Sequence, residues 1–177
     1  MVDPTRAPEG PLSMLEAEGI WKVTAFDENG VEQWTDEVRN KIVNEGLNWL
    51  INAAYVNGQV SSAQYIGLTN GSPTIAAADT MSSKAWSENQ NYSEGTRQLW
   101  NKTGGGTGSA GNATNKAIFN INASTTVGGI FLTTSNVKGS TGTQTLFSVI
   151  ALSGGNAALQ NGWTLQIEYQ LTFASVT

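Results

Sequence analysis

The sequence predicts a mainly β protein, an antiparallel β-sandwich of jelly-roll-like or immunoglobulin-like type with one inserted α-helix near residues 44–55. Residues 163–173 alternate apolar and polar side chains, which is the period of a strand with one buried face. Residues 145–152 (TLFSVIAL) form a nearly continuous apolar run, typical of a strand buried on both faces. About eight or nine strand-like segments are separated by turns roughly every ten residues, a spacing typical of sandwiches.

A chain of 177 residues is long enough for one domain with a sizeable core, which we place at residues 19–177. Residues 1–18 differ from the rest because they contain Pro4, Pro8 and Pro11, three of the four prolines. Proline fixes φ and favours an extended residue before it, so this segment is predicted to be an extended N-terminal arm. Two interpretations stay open: a disordered tail, or an arm that lies on a neighbouring subunit.

The arm carries the residues that we expect to contact a partner. These candidates are Arg6, Pro8, Pro11, Leu12, Met14 and Leu15. The arm has too few apolar residues to fold alone, so the apolar side chains at its C-terminal end could dock onto another protein.

Residues 19–38 are predicted to form a β-hairpin. The turn is residues 27–30, in which Asn29-Gly30 is the strongest short-range hairpin signal. The spacing of Asp27 and Asn29 superficially resembles a calcium-binding loop, but the later ligands of such a loop are absent. The turn itself explains both residues, so we predict no metal site here.

The one convincing helix signal lies between residues 43 and 54. The apolar residues of this stretch fall on one helical stripe, Val43, Leu47, Leu50, Ile51 and Ala54. Asn44 is the expected N-cap, because its side chain can accept hydrogen bonds from the first turn. Gly46 weakens the first turn by about 1 kcal/mol relative to alanine, which suggests close approach of another backbone. We expect Leu47, Leu50 and Ile51 to be buried and Asn57-Gly58 to end the helix.

The sequence downstream of the helix is strand and turn. The expected elements are a strand at 65–69, a break at 70–73, a long loop at 74–86, and strands near 97–100, 117–121 and 126–133. Gly128 and Gly129 inside the last of these strands indicate a bulge or bend.

Residues 102–115 are rich in glycine. A phosphate-binding loop of this composition would continue through Lys-Ser/Thr into a helix, whereas here the next segment is a strand. We therefore predict a flexible connection or a surface tip.

The composition argues against several chemistries. With no cysteine and no histidine, the chain can form no disulfide and no Ser–His or Cys–His catalytic pair. Charged residues make up only 13%, about half the usual share, and such a surface is common in proteins of large assemblies. A net charge of −5 without a basic stripe argues against nucleic acid. No apolar run reaches ~18 residues and no apolar leader is visible, which argues against membrane insertion and secretion.

Pairs of carboxylates are the remaining catalytic option, because glycoside hydrolysis needs only two of them. The candidates are Asp27, Asp36, Glu37, Asp79, Glu88 and Glu168. Most of them fall in turns or on the polar sides of strands, where carboxylates are ordinarily solvated. We therefore predict a protein that is not an enzyme and that holds no cofactor and no metal.

Several motifs occur in a recognisable order along residues 19–173. They are 19–23 (GIWKV), 43–50 (VNEGLNWL), 65–68 (YIGL), 77–82 (AADTMS), 128–133 (GGIFLT) and the alternating C-terminal strand. In this order they resemble a group of small structural proteins of tailed bacteriophages. The resemblance implies a virion component, either a capsid decoration (cement) protein or a tail or fibre protein, and it does not choose between these locations.

The function that we expect is that of a capsid decoration protein. Homotrimers of the chain would bind the major capsid protein on the outside of the head and bridge neighbouring capsid subunits. The protein would be made in the host cytoplasm and located in the virion, with no nucleic-acid or membrane partner. The alternatives are a tail or head-fibre component that contacts the host surface through residues 102–115, and a carbohydrate-binding or carbohydrate-cleaving module.

Overall fold

The computed structural model describes residues 14–56, 63–105 and 108–176. These residues form two antiparallel β-sheets and one α-helix, which confirms the predicted β-sandwich with a single helix. The elements in chain order are β1 (Met14–Phe26), β2 (Glu32–Ile42), α1 (Asn44–Ile51) with a π-helical segment (Asn52–Val56), β3 (Tyr65–Asn70), β4 (Glu88–Asn89), β5 (Gln98–Leu99), β6 (Thr103–Gly105), β7 (Ser109–Gly111), β8 (Ala117–Asn120), β9 (Thr125–Thr133), β10 (Leu146–Ala151), β11 (Ala157–Leu159) and β12 (Thr164–Val176).

One long strand joins the two sheets. In the first sheet, β1 lies between β2 and β12, β12 also pairs with β7 and β8, and β7 pairs with β6. In the second sheet, β9 pairs with β3, β10 and β11, and β3 pairs with β4 and β5. Most of β2 pairs with β1, and then Lys41 and Ile42 pair with β10 of the second sheet. This crossing connects the sheets at one end of β2.

Buried side chains from both sheets form one core. In the register of β1 and β12, Trp21 pairs with Tyr169 and Val23 pairs with Ile167, and all four side chains are fully buried. The rings of Trp21 and Tyr169 stack with their centroids 4.2 Å apart. The second sheet contributes Ile66, Leu68, Val127, Ile130, Leu132, Phe147 and Ile150. β10 is buried along 146–150, as its apolar run predicted.

The double glycine in β9 forms the predicted bulge. Thr69 of β3 pairs with Gly129 and the next residue of β3 pairs with Val127, so Gly128 is the extra residue. A Cβ at Gly128 would overlap the carbonyl carbon of Gly71, which leaves no room for a side chain. The glycine therefore lets the turn after β3 lie directly against β9.

The helix meets the sheet with a different face from the one predicted. Leu47 and Ile51 are 42% and 56% exposed, so the prediction that they are buried is wrong. Leu50 is partly buried against the core, and Val43 at the start of the helix is fully buried.

The small size of Gly46 explains which face of α1 packs. A Cβ at Gly46 would overlap the carbonyl oxygen of Phe147, so only glycine allows α1 to approach β10 this closely. Trp49, three residues further on, packs edge-on against the Phe147 ring with centroids 5.9 Å apart. The contacting stripe runs through positions 43, 46 and 49, and Leu47 and Ile51 consequently face outwards. The predicted close backbone approach at Gly46 is confirmed.

The helix begins without the predicted cap. Val43 occupies the N-cap position and makes no side-chain cap, so the prediction of Asn44 is wrong. The backbone N–H of Asn44 instead donates to the carbonyl of Ala77 at 2.9 Å, which satisfies it from a neighbouring loop. The predicted stop at residues 57–58 lies outside the described residues.

Two segments of the chain differ from the prediction. Residues 14–18, which the sequence pattern placed in the arm, form the first part of β1 and pair with residues 172–176 of β12. Residues 102–115 contain the β6–β7 hairpin, which has more structure than a flexible connection. In both cases the partner strand is β12, and pairing with a strand this distant in sequence leaves no local signal.

Candidate functional site

The predicted partner-binding residues divide between two parts of the chain. Four of them, Arg6, Pro8, Pro11 and Leu12, lie outside the described residues. The other two, Met14 and Leu15, belong to β1, and their backbones pair with the C-terminal end of β12. The part of the predicted arm that lies outside the described residues is therefore residues 1–13.

The first and last strands extend beyond the rest of the first sheet. Residues 14–17 of β1 pair with residues 173–176 of β12, whereas β2 pairs with β1 only from Gly19 onwards. On the other side, β7 pairs with β12 as far as Thr172, and the N–H of Phe173 donates to the carbonyl of Gly108. We call residues 14–17 and 173–176 the terminal ribbon. Within the described parts of the chain, no further strand pairs with either of its outer edges.

A second open edge lies between the two sheets. Trp34, Asp36 and Val38 of β2 pair with the fully buried Ala25, Val23 and Trp21 of β1, respectively. Because paired residues point to the same face, these three side chains of β2 face the core side of the first sheet. β2 pairs with β10 only through its last two residues, so positions 32–40 have no strand partner on this side among the residues described. We call the gap between residues 34–40 and residues 149–158 the seam.

The seam contains a pocket of about 300 Å³ around Trp34 and Asp36. Residues 152–158 form its other wall. The Asp36 carboxylate accepts two hydrogen bonds from Ser153, from the backbone N–H at 2.8 Å and from the hydroxyl at 2.5 Å. A carboxylate can accept about four hydrogen bonds, so Asp36 keeps acceptor capacity for a ligand. The ten residues that line this pocket include no lysine or arginine, and the pocket therefore favours a cationic or neutral group.

A second pocket, of about 260 Å³, lies further along the seam. Its walls are residues 38–40 of β2, residues 149–151 of β10 and Ile75, and most of these side chains are apolar. Along β2, the first pocket lies beside residues 34–36 and the second beside residues 38–40, and residues 34–40 span about 20 Å. The seam therefore has the length of an extended segment of about six residues.

Most of the carboxylates that were candidates from the sequence stabilise the fold. Asp27 and Asp79 accept backbone hydrogen bonds from nearby loop residues, and Glu88 and Glu168 pair with Arg97 and Lys116. Glu37 and Glu168 lie on either side of Lys22 in the register of the first sheet, a row of alternating charge typical of cross-strand pairs. Among the described residues, no three acidic side chains lie close enough together to hold a metal ion.

Glu88 and Arg97 form a buried ion pair beneath the loop at residues 134–145. Their side chains are 4% and 0% exposed, and the guanidinium donates two hydrogen bonds to the carboxylate at 2.9 and 2.8 Å. The same guanidinium donates to the carbonyls of Ser135 and Ser140, both at 3.0 Å. A backbone N–H of the loop donates to Glu88. The pair is thus surrounded by hydrogen-bond partners, and it fixes the loop to the second sheet.

Lys138 attaches the same loop at another point. Its Nζ donates to the carbonyls of Tyr92 and Glu94 at 2.8 and 2.7 Å and lies 3.7 Å from the centroid of the Tyr92 ring. Burial lowers the pKa of Lys138 and raises that of Tyr92. In the core, burial raises the pKa of Tyr169 to about 12. Both tyrosines are therefore uncharged at physiological pH, which suits side chains that pack in the protein interior.

The seam was not predicted from the sequence. The alternation in β2 does place an acidic residue, Asp36, in one row with Trp34 and Val38, and this was the available signal. Its meaning depends on which face of β2 meets the core, and the pairing with β1 decides that. The open edge depends on where β2 passes from β1 to β10, which is a tertiary feature.

Comparisons with known proteins assign the chain to no family: no protein-family model matches it, and no curated protein matches it. In the part of the chain that the structure describes, no helix has the length and apolar character needed to cross a membrane. The candidate functional site is therefore defined by geometry, as the seam together with the terminal ribbon.

Proposed function

We propose that this chain is a non-enzymatic structural protein of a tailed-bacteriophage virion, a capsid decoration protein that binds the outside of the head. Homotrimers would bridge neighbouring copies of the major capsid protein. The support comes from the motif order that resembles phage structural proteins, from a surface with few charged groups and from the open edges of the terminal ribbon and the seam.

The terminal ribbon is the observation that carries the proposal. Its outer edges offer backbone N–H and C=O groups to another protein. Residues 1–13 precede it, and an extended segment of this length spans up to about 43 Å at about 3.3 Å per residue. The domain would bind one capsid subunit, and the arm would extend across the boundary to the position of the neighbouring subunit.

Stabilisation of the head would follow from linkage. A protein that binds only the assembled lattice shifts the assembly equilibrium by mass action, by about 2.7 kcal/mol per site at a free concentration 100-fold above Kd. Bridging requires no catalytic group, and the structural bonds of Asp27, Glu88 and Glu168 fit this role.

Binding to purified heads tests the proposal. Full-length protein and a variant that lacks residues 1–13 are each mixed with undecorated heads, and bound protein is measured after sedimentation. We expect saturable binding of the full-length protein, a higher temperature of head disassembly, and binding of the truncated protein weaker by about tenfold or more, because bridging adds avidity. The truncation ends before Met14 and so keeps β1 whole, which circular dichroism can check.

Two results would count against this proposal. Full-length protein that remains in the supernatant contradicts the decoration function. Truncated protein that decorates heads at full occupancy removes the arm from the mechanism.

A tail or head-fibre component is the second candidate, and the β6–β7 hairpin favours it. Thr103 and Gly104 are exposed at the edge of the first sheet, where small polar residues suit contact with a host surface. This candidate predicts that the purified protein binds host cells. Exchange of residues 103–111 for an unrelated hairpin should then abolish cell binding.

A further inference from the structure

We propose that the seam is the docking groove for the proline-bearing arm, residues 4–11, of a neighbouring copy of this chain. The inference rests on the proposed function for the role of the arm, and it names the arm's binding site and partner. Three features carry it: the open edge of β2, the side chains in the seam, and the sequence and length of the arm.

The seam offers an aromatic surface next to a negative charge. Trp34 is partly buried against the core and lines the larger pocket, and Asp36 lies two residues along on the same face, about 7 Å away. Ser153 holds the Asp36 carboxylate in place through two hydrogen bonds. Grooves that combine aromatic side chains with an extended path are the usual binding sites for proline-bearing segments, which lose little entropy on binding.

The arm has the complementary chemistry. Arg6 is the only basic residue in 1–13, and Pro4 and Pro8 lie two residues from it on either side. We place the Arg6 guanidinium on Asp36, where an arginine–carboxylate pair forms charge-assisted hydrogen bonds. A proline ring beside Arg6 then packs against the Trp34 indole.

The spacing of the prolines fits the open edge of β2. Pro4 and Pro8 are four residues apart, so in an extended segment both point their missing N–H in the same direction, away from β2. The intervening odd-numbered residues can then donate to β2. Pro11 is an odd-numbered residue, so its missing N–H would face β2 and the pairing would end there.

Chain length favours a neighbouring copy over the same chain. Asp36 pairs with Val23, nine residues along β1 from Met14, a distance of about 30 Å. Arg6 precedes Met14 by eight residues, which span about 27 Å when fully extended, and the chain would also have to reverse its direction. A neighbouring copy is subject to neither restriction. When each copy gives its arm to the next copy, the head-to-tail contacts close a ring, as the expected homotrimer requires.

The lack of cysteine allows a direct test in the full-length chain. Pro8→Cys, which lies on the same face of the extended arm as Arg6, is combined with Gly154→Cys, which lines the larger pocket at a position where a Cβ would meet nothing within 4 Å. The control combines Pro8→Cys with Gly95→Cys, an equally open position outside the seam. Under mild oxidation without heads, we expect disulfide-linked dimers and trimers to form about tenfold or more faster in the seam pair than in the control.

Charge exchange tests the Arg6–Asp36 contact in the same assay. Arg6→Asp should slow cross-linking of the seam pair by about tenfold, and adding Asp36→Lys should restore the rate. The matched control adds Glu37→Lys in place of Asp36→Lys, which makes the same change of charge on the opposite face of β2. It should leave the slow cross-linking of the Arg6→Asp variant unchanged.

Each contrary outcome overturns a defined part of the inference. A disulfide that forms within one chain and leaves monomers overturns docking to a neighbour. Equal rates in the two pairs, including no reaction in either, overturn the seam as the groove. Because no heads are present, selective cross-linking without head binding would reject the proposed function alone, and head binding without selective cross-linking would reject this inference alone.

Discussion

The two sides of the sandwich are held together in opposite ways. On one side, the buried Glu88–Arg97 ion pair and the part-buried Lys138 fasten the loop at residues 134–145 to the second sheet. On the other side, the seam is bridged by hydrogen bonds between Asp36 and Ser153, and its pockets open to solvent. We call the side of the Glu88–Arg97 pair the closed side and the side of the seam the open side. The polar groups of the closed side have their hydrogen-bond partners within the protein, whereas Asp36 on the open side can accept further hydrogen bonds from a partner. We therefore attribute stability to the closed side, and we propose the open side as the one that binds a partner.

The largest effect is expected on the closed side, from Arg97→Ala. Removing the guanidinium leaves the Glu88 carboxylate buried without its charge partner, which should cost about 3–5 kcal/mol of unfolding free energy. Urea unfolding measures it. The control is Arg39→Ala, whose side chain is 73% exposed in its pair with Glu18 and should matter by less than about 1 kcal/mol. Equal losses for the two variants would remove the distinction between the sides.

Alkaline pH should destabilise the core that both sides share. Burial raises the pKa of Tyr169 to about 12, above its ordinary value of 10.0, so the folded state keeps its proton where the unfolded chain has lost it. The stability from this difference is complete below pH 10 and declines as pH rises through about 12, with about 2 kcal/mol lost at pH 11.5. Tyr169→Phe should therefore lose less stability than the wild type between pH 8 and pH 11.5, as measured by urea midpoints. Parallel losses in the two proteins would contradict the buried state of this hydroxyl.

Gly46→Ala tests the contact of α1 with β10, next to the crossing of β2 between the sheets. Alanine improves helix propensity by about 1 kcal/mol, but its Cβ would collide with the carbonyl oxygen of Phe147. Overpacking should exceed the gain and leave a net loss of about 1–2 kcal/mol in thermal or urea unfolding. The control, Asn48→Ala on the exposed side of α1, should be neutral or slightly stabilising. A stabilised Gly46→Ala variant would show that α1 is not held as closely as described.

The smallest effect is expected on the open side, from Asp36→Asn. An amide oxygen can still accept from Ser153, and the site is partly exposed, so the loss should be about 1 kcal/mol or less. The same urea experiment as for Arg97→Ala measures it. A loss as large as that of Arg97→Ala would mean that Asp36 is needed to close the fold, and the comparison of the two sides would fail.

The sequence was informative wherever the structure is set by local pattern. The alternation in β12, the apolar run of β10 and the Asn29-Gly30 turn each specify an element through residues next to one another, and all three are present. The bulge at Gly128 was also predicted, because a glycine inside a strand usually marks a bulge, a bend or the close approach of another backbone.

The features that escaped prediction depend on contacts between distant segments. Leu47 and Ile51 fit a helical stripe as well as Gly46 and Trp49 do, and the Phe147 carbonyl decides which set packs. The seam depends on the residue at which β2 leaves β1 for β10. Neither the packing face of α1 nor the crossing point of β2 is encoded in the local spacing of residues. The candidate site therefore could not be found from the sequence alone.

An image reconstruction of the virion that carries this chain is the decisive test of the decoration function. We expect density for the β-sandwich on the outer surface of the head, in clusters of copies that bridge capsid subunits, with a thin connection from each terminal ribbon to the seam of its neighbour. Density for the sandwich at the tail or its fibres, or its absence from the particle, would contradict the decoration function.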